Sequence, residues 1–337
     1  MCTHGEGMVG SRLESEEMVL KVGKGGVRGG TPLCAAAAVA LLHGAGVPKA
    51  VLAHLPGGAK VGAALVNDQR VDGVVFTGSG EAARAIFRQL AARPVDSALA
   101  PLLAETAGLN ALIADESALP EQLVSDAVRS AFGAAGQRCS SARLLCVPME
   151  SSQTVVDMLI GAMAELSVAD PAYLDTDVGP LIDTASVERV QVAGVKLLGR
   201  AALPLPAVSA PQQPAGGGLA LPPLPADARP SFFAPVLLEI PSLSALPRRE
   251  CFGPVLHVLR YDSRPVDSLE KLIRDINKLG YGLTMGLHSR LDSAHATARS
   301  STAAGNLYIN RDTIGAVVES QPFGGSRLSG TGPKVHF

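Results

Sequence analysis

The sequence has no strong charge of either sign: 29 Lys and Arg against 31 Asp and Glu leave a net charge of −2. No basic cluster with interleaved aromatics occurs, which argues against a nucleic-acid partner or an anionic membrane surface. No apolar run reaches the roughly 18 residues that a membrane-spanning helix needs. The segment Leu33–Leu42 is apolar but short and Ala-rich, and reads as a buried helix. The first thirty residues lack the apolar core of a secretory signal, so cytoplasm is the expected compartment. Cysteines are few and odd in number: Cys2, Cys34, Cys139, Cys146 and Cys251. Their wide, unpaired spacing provides neither a disulfide framework nor a zinc-ligand pattern, and no metal is expected. What remains is a globular composition, 47% hydrophobic and 18% charged over 337 residues, long enough for two domains.

Residues 1–30 show no clear period and read as a poorly ordered lead-in. From Thr31 onward, strands alternate with helices. Thr31-Pro32 supplies a cap and first turn for a helix over Cys34–His43. Val51–Leu55 reads as a strand, Ala59–Val66 as a helix, and Val71–Thr77 as a buried strand by its β-branched run. Helix Glu81–Ala91, strand Ala111–Ala114 and helix Pro120–Phe132 follow. The alternation continues with strand Ala142–Val147 and helix Gln153–Leu166. Residues 199–230 are rich in Pro, Ala and Gly and read as a loop. Strands Phe233–Ile240 and Val255–Tyr261 and helix Val266–Lys278 complete the pattern. Such alternation predicts an α/β fold with a parallel sheet.

Four constellations carry chemistry. In Gly136-Gln137-Arg138-Cys139, a cysteine follows a glycine turn at a helix end, beside a cation. A thiolate nucleophile needs such exposure and nearby positive charge. An arbitrary free cysteine is more often a small buried apolar residue, and Cys34 and Cys146 fit that bland description. In Glu105-Thr106-Ala107-Gly108-Leu109-Asn110, a lone carboxylate precedes a tight turn; it suits a base that activates water, though a solvated loop Glu is the ordinary alternative. In Thr77-Gly78-Ser79-Gly80-Glu81, a strand gives way to a helix whose first N–H groups suit a pyrophosphate, or merely make an ordinary cap. In Glu250-Cys251-Phe252-Gly253-Pro254, the carboxylate can accept two hydroxyl bonds, or simply be a surface charge at a turn.

Taken together, E-T-A-G-L-N-A followed by F-x-x-x-G-Q-R-C resembles the paired active-site signatures of the aldehyde dehydrogenase superfamily. The C-terminal stretch Gly305–Val318, with Gln321–Gly325 and Leu328–Lys334, resembles the glutamate-semialdehyde (pyrroline-5-carboxylate) dehydrogenase branch, as found in bifunctional proline utilization proteins. The resemblance covers about Thr31 to Lys334. It implies an aldehyde dehydrogenase-like α/β fold, with a partial Rossmann-type NAD-binding domain over 31–137 and a catalytic domain over 138–310. Residues 311–337 then form the substrate-anchor loop and C-terminal segment. It implies Cys139 as nucleophile and Glu105 as base, with Gly78 and Ser79 on the cofactor pyrophosphate. Glu250 would hold the nicotinamide ribose and Phe252 would pack near the ring. Backbone N–H groups at Ile314, Gly315 and Ala316, with Ser140, would anchor the substrate carboxylate, and Phe323 would wall the aldehyde pocket. The implied reaction, in proline catabolism, is oxidation of glutamate γ-semialdehyde to glutamate with NAD, or NADP, through a thioester.

The sequence also departs from the family. It contains no tryptophan, and no W-N-F-P-type segment carries the family's oxyanion Asn. Loss of one such donor typically costs roughly 10²–10³ in rate. Where the family has a K-P-A-E-Q run for the adenosine ribose, the chain reads Gly26-Val27-Arg28-Gly29-Gly30. Ala107 replaces a common Gly. The first strands of the cofactor domain are expected to be missing, so residues 1–30 read as unrelated sequence joined at an in-family break. An incomplete sheet leaves an open edge, so a homo-oligomer or a complementing chain is the expected partner. The competing readings are a catalytically dead fragment and a Cys139/Glu105 thioesterase that forms no NADH.

Overall fold

A computed structural model describes residues 7–13, 16–22, 31–97, 99–198, 231–317 and 320–332. The expected loop at 199–230, Cys2 and the segment 23–30 lie outside the described residues. The chain divides into two compact units: Met1–Ala107 with Leu328–Gly332, and Gly108–Arg327 with Pro333–Phe337. No helix among the described residues is long and apolar enough to cross a membrane.

The first unit is a five-stranded sheet with three helices. Its strands are β1 (Gly7–Leu13), β2 (Glu16–Val22), β3 (Leu52–His54), β4 (Val71–Thr77) and β5 (Leu102–Glu105), in the order β3-β2-β1-β4-β5. β4 and β5 pair in parallel, whereas β1 is antiparallel to both β2 and β4. Within the lead-in expected to lack regular structure, Gly7–Leu13 and Glu16–Val22 therefore contribute an antiparallel pair to the middle of the sheet. The reason is tertiary: the hairpin's backbone groups pair with β4, whose edge would otherwise stay open, and no local period announces this. Val66, Val71, Val74, Phe76, Ala83 and Ala104 form a small core under α2 (Ala59–Asn67) and α3 (Gly80–Ala91).

Helix α1 (Pro32–Gly44) corrects a second expectation. Only Ala35 and Val39 are buried, while Leu33 is 83% and Leu41 75% exposed. Cys34 is exposed as well, so it is not the buried apolar residue expected. An apolar composition without an amphipathic stripe identifies no single face to bury, and here one i, i+4 pair packs down.

The second unit is a six-stranded, wholly parallel sheet. Its strands are β6 (Asn110–Ala114), β7 (Ala142–Pro148), β8 (Val236–Ile240), β9 (Val255–Tyr261), β10 (Thr284–His288) and β11 (Asn306–Ile309), ordered β11-β10-β6-β7-β9-β8. β6, β7 and β10 are buried at every position, as parallel strands covered on both faces must be. The period-2 alternation sorts their side chains. Leu112, Leu145 and Val258 face α4 (Pro120–Phe132) and α5 (Ser152–Ala164). Ile113, Leu144 and Leu259 pack with α7 (Ser268–Asn277) and α8 (Asp292–Ser301). α6 spans Thr184–Leu198. The amphipathic α4 buries Leu123, Val124, Ala127, Ser130 and Ala131 on one stripe, and its end delivers the chain to the turn before Cys139.

Candidate active site

The segment that leads to Cys139 in the second unit is built on strained backbone. Ala134, Ala135 and Gly136 are all left-handed, with φ of 55°, 54° and 66°. Two consecutive alanines there cost roughly 1–2 kcal/mol each, a cost tolerated mainly where surrounding structure enforces it. Gly136 has no alternative: a Cβ would run into the carbonyl of Gly253 and sit 2.9 Å from that of Ala131. The chain then reaches Cys139, which is half-buried.

Three buried side chains hold this segment. Asn110, 1% exposed, donates through Nδ2 to the carbonyls of Cys139 (2.7 Å) and Ser141 (2.9 Å), while its Oδ1 accepts the Thr284 N–H. Thr313, fully buried, donates its hydroxyl to the Ser140 carbonyl at 2.8 Å and its N–H to Ser130 Oγ at 3.0 Å. Arg143, 1% exposed, donates to the carbonyls of Gly136 (2.6 Å) and Gly253 (2.9 Å) and to Glu250 Oε1 (2.9 Å). Glycine at 108 is needed for the same reason as at 136, since a Cβ there would stand 2.6 Å from the Cys139 carbonyl.

Glu250 is therefore not a surface charge. Its Oε2 accepts the Gly108 N–H at 3.2 Å, and the side chain is 6% exposed. Burial pushes its carboxyl above the ordinary value, against the pull of Arg143 and of the Gly108 N–H. Phe252 lies beside the same guanidinium, its ring centre 5.6 Å from Arg143 Cζ. Arg143 thus joins the turn before Cys139 to Glu250 and Phe252.

Of the three expected anchor residues, Ile314 gives its N–H to Asp312 Oδ1 at 3.1 Å. The Gly315 and Ala316 N–H groups take no acceptor among the described residues. Gly315 is left-handed at φ 78°, with open space where a Cβ would stand. Tyr308 lies near this region: burial raises its hydroxyl pKa, it accepts from Gln321 Nε2 at 2.8 Å, and the charge of Cys139 adds to the rise. Ser140 is buried and Phe323 is half-buried.

The other expected residues belong to the first unit. Glu105, half-buried, ends β5, and its carbonyl accepts the Gly78 N–H at 3.0 Å. Ser79 caps α3, its Oγ accepting the Ala82 N–H at 3.2 Å. A Cβ on Gly78 would strike the Phe76 ring, and Gly80 faces open space. This glycine-lined turn at a helix N-terminus suits a phosphate. Residues 328–331 lie along β5, with the Thr106 N–H on the Ser329 carbonyl and the Thr331 N–H on the Ala104 carbonyl. Cys146 and Cys251 are buried, and burial raises both thiols, so neither competes as a nucleophile.

Asn110, Arg143 and Thr313 escaped the sequence reading of the site. Asn110 and Arg143 lie within or next to the signatures, and a polar residue inside an apolar strand was the available signal. Nothing local marked Thr313.

His257 backs this network on β9, its Nδ1–H donating to the Arg143 carbonyl at 2.8 Å. Burial lowers its pKa from 6.5 to about 4. The unfolded chain then takes up a proton first, so stability is full above pH 6.5 and falls between there and pH 4. The loss reaches about 3 kcal/mol at the acid end of that window. Urea unfolding across the window should show this slope in the native chain and a flatter one in His257→Asn; equal slopes would exclude His257 as the cause.

The aldehyde dehydrogenase family model matches residues 27–336. The bifunctional protein PutA of Escherichia coli (strain K12) is 46% identical over 310 residues, covering 90% of this chain and 22% of that protein. The 1-pyrroline-5-carboxylate dehydrogenase of Bacillus pumilus is 31% identical over 309 residues, covering 90% of this chain and 56% of its own. Among solved structures, the Thermus 1-pyrroline-5-carboxylate dehydrogenase with bound NAD superposes with a TM-score of 0.75 at 30% identity, over 89% of this chain and 55% of that one. The chain thus spans about a fifth to a little over half of the length of these relatives.

Proposed function

The chain belongs to the aldehyde dehydrogenase family, and we propose that it oxidises L-glutamate γ-semialdehyde to L-glutamate, with NAD or NADP as hydride acceptor, in proline catabolism. The observation that carries this reading is the link within the second unit between the residue after Cys139, whose carbonyl accepts the Thr313 hydroxyl, and a loop whose Gly315 and Ala316 N–H groups take no acceptor among the described residues. Such a pair suits the carboxylate of an amino-acid semialdehyde. The names of the relatives support the same substrate.

In this reading the Cys139 thiolate attacks the aldehyde carbon, and the carbonyl electron pair moves to oxygen. The Cys139 backbone N–H steadies that oxyanion. The bound nicotinamide supplies a hydride acceptor, and oxidation leaves a thioester on Cys139. Glu105 takes a proton from water, the water oxygen bonds to the thioester carbon, and the thiolate departs as glutamate forms. Gly78 and Ser79 hold the pyrophosphate. Glu250, already oriented by Arg143, has acceptor capacity left for a ribose hydroxyl, and Phe252 packs near the nicotinamide. Ser140 assists at the substrate carboxylate and Phe323 walls the pocket. The exposed leucines of α1 support a homo-oligomer, or a form completed by another chain.

Glu105→Gln tests the scheme. It should lower steady-state turnover by about 10²–10⁴-fold and leave an acyl adduct on Cys139, read by intact mass after mixing with aldehyde and NAD. Unchanged turnover would remove Glu105 from the mechanism.

A further inference from the structure

We propose that Thr313 is a positioning residue that sets the reach between the substrate anchor and the nucleophile, and so selects the length of the carboxylate-bearing aldehyde. This rests on the reading of Gly315 and Ala316 as the anchor.

Thr313 is a polar residue with no exposure, and its N–H and its hydroxyl are both engaged. Its N–H bonds to Ser130 Oγ in the last turn of α4. Its hydroxyl bonds to the carbonyl of Ser140, the residue after Cys139. Its methyl lies against β10 where Gly286 leaves room: a Cβ on Gly286 would stand 3.1 Å from Thr313 Cγ2. On one side Asp312 pairs with Arg129 at 3.5 Å, and on the other Ile314 is tied to Asp312. The anchor begins directly after this fixed stretch, at the left-handed Gly315.

A semialdehyde that carries a carboxylate has a set number of bonds between its two ends. It engages both sites only if the anchor and Cys139 stand at the matching separation. The Thr313–Ser140 bond ties the segment 312–316 directly to the segment 138–141. Breaking it lets the two segments drift and penalises a two-ended substrate. An aldehyde with no carboxylate does not use the anchor and does not sense that drift.

Two readouts test this on the full chain, for wild type, Thr313→Val and Thr313→Ser. The first is protection of Cys139 by glutamate against iodoacetamide, read by mass on the Cys139 peptide so that Cys34 does not interfere. The second is the ratio of kcat/KM for glutamate semialdehyde to that for propanal. Thr313→Val should weaken glutamate protection and lower the ratio by about 10-fold each, and Thr313→Ser, which keeps the hydroxyl, should restore most of both. A Thr313→Val protein with the wild-type ratio and protection overturns the proposal, including when both aldehydes lose rate in parallel. Wild-type protein that shows neither protection nor preference overturns the anchor reading itself, and the role of Thr313 with it.

Discussion

Cys139→Ala is expected to lower aldehyde-dependent NADH formation by about 10⁴-fold or more, because the thioester route has no substitute for its nucleophile. The informative control is Cys34→Ala. Both thiols reach solvent, Cys34 on the exposed face of α1 and Cys139 at the strained turn. Only Cys139 stands in a segment whose carbonyls are held by Asn110, Thr313 and Arg143. Cys34→Ala should retain turnover within about twofold, the ordinary outcome for a surface change away from structural features. Turnover assays on the two variants decide the matter, and comparable losses would dissociate the chemistry from the turn.

Arg143→Met should destabilise the chain by about 3–5 kcal/mol, measured by urea unfolding. The guanidinium is almost fully buried, and so is Glu250. Removing the cation leaves a buried carboxylate with the Gly108 N–H as its remaining donor among the described residues. It also takes the side-chain donor from the carbonyls of Gly136 and Gly253. Each buried acceptor left unpaired costs on the order of 1–3 kcal/mol. The effect is an uncompensated charge more than a lost attraction, so a second change should recover part of it. Arg143→Met combined with Glu250→Gln should be more stable than Arg143→Met alone. A single variant within 1 kcal/mol of wild type would mean that water or relaxation replaces the pair.

Much of the architecture was legible because it follows local rules. Val71–Thr77, Pro120–Phe132 and Val255–Tyr261 have the boundaries read from the sequence. A β-branched run, a proline at the first helical turn and a bounded apolar run fixed these three. The hairpin at 7–22 was not legible, since its strands gain their place by pairing with β4. The return of 328–331 onto β5 was equally hidden, because a few residues without a period carry it. Helix α1 misled for a different reason: apolar content suggests burial but does not say what is available to pack against.

The candidate site divides the same way. Cys139 and Glu105 stood out because nucleophile and base chemistry need particular residue types in a recognisable order. The residues that hold the Cys139 segment in place did not, since an arginine four positions after a cysteine looks like any charged residue. Only the fold shows that Arg143 points inward to two carbonyls and a carboxylate, and that Thr313 spans from α4 to the residue after Cys139.

The most direct test of the proposed oxidation is NADH formation by the purified chain supplied with glutamate semialdehyde and NAD, with glutamate assayed alongside. Saturable turnover is expected, with one glutamate formed per NADH. A folded preparation that yields no NADH, or that hydrolyses thioesters of the same acid without reducing NAD, would contradict it.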